Sequence, residues 1–290
     1  MIRPQDLPVD RVLDVFRLAD DAGFDHMWLP DHILSLGDLD RPIFDGWTVL
    51  GAAATVTKRV RIGLHVTGNL YRHPSMLAKQ AVTVDHLSGG RLEMGLGAGW
   101  KEVEFQTLGI PFPPTARERI ERLGEACVVL KSLWTQARSN FAGQYYQLSD
   151  AIGEPKPLQR PHPPLWIGGS GLKRTLRIVA READVWSTDA ATPEDEQTAW
   201  RALDEHCNTI GRDPASIRRC VQIRWADRKG LPSAAVGDLA SDIDAVRRAV
   251  ERYVGLGYTE IILMVNAGDG PTIMKLADLY ARQVLPRVRG

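Results

Sequence analysis

Long apolar runs are missing from this chain. Nothing in it approaches the ~18 uninterrupted apolar residues of a membrane span, so no membrane partner is expected. The first residues lack the basic and then apolar pattern of a secretory signal, so export is not expected either. Excess charge of one sign is absent too. Lys plus Arg number 36 and Asp plus Glu number 36, a balance that argues against non-specific nucleic-acid binding. Cysteine is scarce: Cys127, Cys207 and Cys220 are scattered, odd in number and without zinc-ligand spacing. They read as reduced thiols of a cytoplasmic protein, with Cys127 a filler on an apolar helix face. What is present is bulk. With 290 residues, 44% of them apolar, the chain can bury a large core.

Strand and helix patterns alternate along the whole length. Short apolar runs, of the kind that form strands covered on both faces, lie at His26–Pro30, Val60–Val66, Arg91–Gly97, Pro164–Gly168, Ala183–Ser187, Cys220–Trp225 and Glu260–Val265. Helical patterns occupy Val9–Ala22, Trp47–Thr57, Pro74–Leu87, Ala116–Trp134, Lys173–Glu182, Pro193–Gly211, Ser241–Gly257 and Thr272–Leu285. The stripe Ile120, Leu123, Cys127, Leu130 and Trp134 shows the helical period clearly. This alternation predicts an α/β fold, a (β/α)8 TIM barrel spanning residues 1–290 as one domain. Residues 138–164, rich in Gly, Tyr and Pro, break the rhythm and read as an insertion carrying a hairpin. Eight helices accompany only seven full strands. The eighth strand belongs before Val9, where Met1-Ile2-Arg3-Pro4 leaves room for a truncated strand 1. The expectation is that further residues lie upstream and that a form carrying them is more stable.

In such a repeat, sites are built at the C-terminal ends of the strands. Asp31-His32 follows the first full strand, where an imidazole can exchange a proton near neutral pH. A structural loop histidine is the competing reading. Ile62–Asn69 runs into a polar loop through His65 and Val66, and the next strand ends in Gly97-Ala98-Gly99-Trp100. These small residues let a flat ligand approach the backbone. Gly168-Gly169-Ser170-Gly171 precedes a helix and offers N–H groups to a phosphate, though a tight turn also wants glycine. Trp28, Trp47 and Trp100 come from separate strand ends and form either an aromatic wall or ordinary packing. Asp85 and Arg91 read as structural ties around a turn, and Glu104 and Arg119 as a structural pair. The histidines show no metal-ligand spacing, so no metal is expected.

Taken together, Val66-Thr67-Gly68-Asn69, Arg72-His73-Pro74, Leu87-Ser88-Gly89-Gly90-Arg91, Gly95–Trp100, Gly143-Gln144-Tyr145-Tyr146, Ile167-Gly168-Gly169 and Ala183-Asp184-Val185-Trp186 resemble the luciferase-like monooxygenase superfamily. The likeness is to its branch of coenzyme F420-dependent oxidoreductases, and it covers Val9 to about Gly211. The resemblance implies a deazaflavin at the barrel mouth and a non-prolyl cis peptide at His65-Val66. It also implies Asp31 and His32 beside the reacting centre, and cofactor contacts from His65, Val66, Ala98, Gly99, Trp100, Gly168, Gly169, Ser170 and Gly171. It favours a homodimer and a small-molecule substrate. One position departs. Related sugar-phosphate dehydrogenases carry a glutamate where this chain has Trp100, which speaks for a more apolar pocket. The rival readings are an FMN-dependent monooxygenase, a flavin-binding protein without turnover, and a metal-dependent hydrolase using His32 and His65.

Overall fold

The structure, a computed structural model, describes residues 1–189, 192–225, 243–265 and 270–286. Among these residues the chain runs α1 (Val9–Asp21), β1 (His26–Leu29), α2 (Gly46–Val56), β2 (Arg61–Leu64), β3 (Thr67–Gly68), α3 (Pro74–Ser88), β4 (Leu92–Gly97), α4 (Glu102–Leu108) and α5 (Ala116–Thr135). It continues β5 (Ser139–Ala142), β6 (Gln147–Ala151), β7 (Leu165–Gly168), α6 (Thr175–Glu182), β8 (Val185–Asp189), α7 (Pro193–Thr209), β9 (Arg218–Trp225), α8 (Ile243–Gly255), β10 (Glu260–Val265) and α9 (Gly270–Gln283). The sheet order is β1-β2-β4-β7-β8-β9-β10, all neighbours parallel, with β3 also on β4. This is an α/β fold whose parallel sheet curls on itself.

Local chemistry explains the elements. Thr115 caps α5 by accepting from the Glu118 N–H at 3.1 Å, and the helix buries Leu123, Cys127, Leu130 and Trp134 as its period requires. His73 and Pro74 open α3, and Gly89 closes it in the left-handed region at φ 67°. Asp20 receives the N–H groups of Lys58, Arg59 and Val60, fastening the turn into β2 to the end of α1. Asp85 and Arg91 are structural, as read, but with partners other than each other. Asp85 accepts from Leu158 and Gln159 and so docks the insertion on α3. Arg91 donates to the carbonyls of Ala54, Thr57, Val60 and Ser88, closing the end of α2.

The seven strands lie where the apolar runs placed them, with one interruption. The run Val60–Val66 stops as β2 at Leu64, and two residues later β3 resumes on β4 alone. The helix α4 was not anticipated: seven residues with three charged or amide side chains carry too little apolar periodicity. The hairpin of the insertion is present as β5 and β6. The place of the first strand is held by Met1 and Ile2. Ile2 bridges Val265 and donates to the Trp28 carbonyl at 3.2 Å, so the edges of β1 and β10 are joined there rather than left apart. The expected helix starting at Ser241 falls partly outside the described residues, which resume at Ile243. No helix among them is long and apolar enough to cross a membrane.

Inside the barrel, Trp28, Trp166, Val185, Cys220 and Ile262 pack together. The two indoles stand edge to face at 4.7 Å. Glu93 lies below them, accepting from Trp166 Nε1 at 2.5 Å and pairing with Arg61. Trp28 and Trp47 are therefore core residues and not part of a ligand wall. Their apolar surface is worth more buried than at an open mouth. Room for Trp28 comes from Gly63, where an added Cβ would lie 2.4 Å from both the Trp28 ring and the Glu93 carbonyl. Gly63→Ala is accordingly expected to destabilise the protein by about 1–3 kcal/mol. Gly51→Ala, whose methyl meets nothing within 4 Å in the middle of α2, is expected to be neutral or stabilising by up to ~1 kcal/mol. Urea unfolding of the two variants checks the contrast.

Candidate active site

The site begins where β2 gives way. The His65–Val66 peptide is cis, as the resemblance implies. Val66 is seated over the small residues of the neighbouring strands. A Cβ added to Gly97 would lie 2.6 Å from Val66 Cγ2, and one on Gly168 would lie 3.3 Å from Val66 Cγ1. A Cβ on Gly95 would fall 2.1 Å from the Leu64 carbonyl oxygen. The strand-end glycines, read from sequence as openings for a flat ligand, thus first make room for the chain's own bulge.

Above the bulge, at the C-terminal ends of the strands, lies a cavity of about 750 Å³. That is within the range of ~300–1,000 Å³ typical of small-molecule sites. Its wall contains Asp31, His32, His65, Val66, Ala98, Gly99, Trp100, Gly168, Gly169 and Ser170. Ten of the residues singled out from sequence are therefore brought together. Gly171 is not: it turns toward the helix, where an added Cβ would lie 2.8 Å from Thr175 Oγ1. The glycine run is also separated from α6 by a turn at residues 172–174, so Ser170 does not open the helix directly.

Two buried carboxylates fix the mouth. Asp31 accepts both arms of the Arg72 guanidinium, at 2.6 and 3.0 Å, and the Gly68 N–H at 2.9 Å. This fork ties the end of β1 to β3 and to the start of α3. With both oxygens hydrogen-bonded and little exposure, Asp31 holds the loop that carries His32. Glu104, in the first turn of α4, is fully buried. Its Oε2 lies 3.0 Å from His32 Nδ1 and accepts from the Tyr71 hydroxyl, while Oε1 accepts from the Leu34 N–H at 2.9 Å. Burial raises the pKa of this carboxyl, but the hydrogen bonds and charge of its neighbours outweigh burial and hold it below the ordinary range. Burial and the Glu104 charge push the Tyr71 hydroxyl upward, so it stays a donor. Lys101 completes the cage by donating to the Ser35 carbonyl at 2.7 Å.

The expected pairing of Glu104 with Arg119 is corrected. Arg119 donates to the Pro113 carbonyl at 3.0 Å and stands 4.6 Å over the Phe112 ring. Glu104, Tyr71 and Lys101 were missed as site residues because their roles depend on the fold of α4 against the loop after β1. The placement of Glu104 shortly after the end of a predicted strand was the available signal. Trp100 is 67% exposed at the cavity lip and meets the His32 ring edge-on at 5.8 Å. On the floor, His65 Nε2 and Ser187 Oγ are 2.7 Å apart, and burial lowers the His65 imidazole to about 3. His65 is therefore neutral at ordinary pH. Among the described residues no group of His, Cys, Asp and Glu is arranged to hold a metal.

A family model described as luciferase-like monooxygenase matches residues 2–230. The chain belongs to that family. It is 32% identical over 264 residues to an uncharacterized protein of Mycobacterium tuberculosis, covering 85% of this chain and 84% of that one. It is 31% identical over 313 residues to an F420-dependent glucose-6-phosphate dehydrogenase of Kineococcus radiotolerans, covering 93% and 90%. Its fold is similar to that of an F420-dependent secondary alcohol dehydrogenase solved in complex with an F420-acetone adduct, with TM-score 0.82, 21% identity and coverage of 100% and 99%.

The depressed Glu104 carboxyl makes a signed prediction. Its stabilising contribution is fully present above the unfolded carboxylate value of about 4.3 and is lost as pH falls through its lower folded value. Glu104→Gln should therefore be less stable than the parent at pH 7, and the gap should narrow as pH drops below about 4. Melting temperatures of both proteins across that range check the sign; a gap that widens in acid would refute it.

Proposed function

We propose that this protein is a coenzyme F420-dependent oxidoreductase that moves a hydride between the deazaflavin and a small organic substrate. The observation that carries the reading is the cavity itself: one concave space at the strand ends, with the Val66 bulge on one side, the small residues Ala98–Gly99 and Gly168–Ser170 on others, and His32 in its wall. The relatives named for F420-dependent dehydrogenation support it.

The residues present fit such a group. Gly99 and Gly169 adopt φ of 80° and 125°, so the backbone, free of side chains there, is available to a planar ligand and its polar chain. Val66 and His65 would contact the ring, Ala98 and Gly99 its edge, and Gly168, Gly169 and Ser170 the phosphate-bearing tail. When bound, the deazaflavin supplies or accepts the hydride. The protein's own part is different. Trp100 limits water at the lip, neutral His65 offers a hydrogen bond without bringing charge to the floor, and His32 exchanges the substrate proton.

Binding titrations separate this reading from that of an FMN-dependent monooxygenase, a reading favoured by the likeness of half of the chain to an FMNH(2)-dependent dimethylsulfone monooxygenase of Pseudomonas putida. Quenching of intrinsic tryptophan fluorescence should report micromolar or tighter binding of coenzyme F420 and weaker binding of FMN. The reverse order would overturn the cofactor assignment, and binding of neither would overturn the site. His32→Ala should lower turnover by ~10²–10⁴-fold, the usual cost of losing a general acid or base, with cofactor affinity changed by no more than a few fold. Full turnover in that variant would return His32 to a structural role.

A further inference from the structure

We infer that Glu104 is a positioning residue that fixes His32 as its Nδ1–H tautomer, so that Nε2 faces the cavity as a proton acceptor. The inference rests on reading His32 as the proton-transfer group.

The argument is one of donor and acceptor counting. His32 Nδ1 lies 3.0 Å from Glu104 Oε2. A carboxylate can only accept, and Glu104 is held ionised by the groups around it. Those groups are His32 itself, the Tyr71 hydroxyl on the same oxygen and the Leu34 N–H on Oε1 at 2.9 Å, and the Lys101 ammonium stands 3.9 Å from Oε1. The Leu34 N–H and the Lys101 ammonium can only donate, and the Tyr71 hydroxyl donates its hydrogen to Oε2. The contact between Nδ1 and Oε2 is therefore a hydrogen bond only if Nδ1 carries the proton. In neutral imidazole the other nitrogen is then a lone-pair acceptor. Nε2 has no hydrogen-bond partner among the described residues, and His32 forms part of the cavity wall. The Trp100 edge at 5.8 Å and the Glu104 bond hold the ring from two sides. The arrangement suits removal of a proton from a substrate hydroxyl or amine at Nε2. The imidazolium formed would be stabilised by the buried carboxylate behind it.

The same counting predicts what an isosteric change does. In Glu104→Gln the amide has one acceptor oxygen and one donor nitrogen. The Leu34 N–H and Lys101 ammonium both require the oxygen on their side. That leaves the amide NH2 facing His32 Nδ1, which must then accept, and the proton moves to Nε2. One carboxylate oxygen exchanged for nitrogen thus inverts the tautomer without emptying space.

Long-range 1H–15N correlation spectra of the full-length protein, labelled with 15N-histidine, read the tautomer directly. The His32 signals are assigned by their loss in His32→Ala. Between about pH 7 and 9, where an ordinary imidazole is mostly neutral, the parent should show a protonated Nδ1 and a pyridine-like Nε2. Glu104→Gln should show the opposite, and Tyr71→Phe should leave the parent pattern in place, since the carboxylate remains. A parent spectrum with the proton on Nε2 would overturn the proposal without recourse to any variant. An unchanged tautomer in Glu104→Gln would show that something else sets it. Turnover of Glu104→Gln should fall by ~10²–10⁴-fold, as when an orienting carboxylate behind a catalytic imidazole is lost, at unchanged affinity for coenzyme F420. Failure to bind coenzyme F420 would remove the cofactor assignment while leaving the tautomer result standing, so the two readings fail separately.

Discussion

Much of this molecule follows from the seat made for Val66. The strand from Arg61 to Leu64 leaves the sheet at His65 and returns at Thr67, and the displaced side chain needs somewhere to go. Gly97 and Gly168 supply the space and Gly95 lets the Leu64 carbonyl pass close to β4. Any Cβ at Gly95 or Gly97 would meet atoms nearer than van der Waals contact allows. Glycine in a strand interior is unfavourable for packing and entropy, and here the cost is offset by a shaped cavity floor.

Electrostatics then orders the rim. Two carboxylates are buried within the same loop cluster, and neither is left alone. Asp31 meets a guanidinium fork and a backbone N–H; Glu104 meets an imidazole, a phenol and a backbone N–H. A buried charge without partners would cost several kcal/mol, so these networks are held together by the penalty for breaking them more than by the gain on forming them. They also divide the labour. Asp31 binds one guanidinium and the backbone at Gly68, whereas Glu104 bonds the loop backbone at Leu34 and one imidazole.

The barrel's lower half is built by other rules. Trp28 and Trp166 fill the interior over Glu93 and Arg61, and Gly63 makes room for the larger ring. Apolar burial and the ion pairs Arg61–Glu93 and Arg218–Glu260 close that end. The mouth is lined instead by loops and small residues, so a ligand can enter without disturbing the packed layer below. Rigid floor and open rim together let a bound ligand keep its orientation while water is limited.

The alternation of short apolar strands and amphipathic helices was legible in the chain, and with it the barrel, because period and burial are local properties. So were the residues around the cavity, since a repeat sends each strand end to the same face; Asp31 and His32, His65, and Trp100 meet there from three separate segments. Pairings were not legible. Glu104 was read as the partner of Arg119, and only the packing of α4 placed it against His32, 72 positions away. Trp28 and Trp100 both follow the pattern of a strand end. Trp28 lies inside β1 and is fully buried, whereas Trp100 follows the end of β4 and sits at the lip, 67% exposed. The sequence by itself determined which residues gather at the mouth. Which of them touch, and which nitrogen of His32 bears its proton, was decided by the tertiary structure. Hydrogen bonds act over about 3 Å, and no pattern along the chain sets distances that short between elements so far apart.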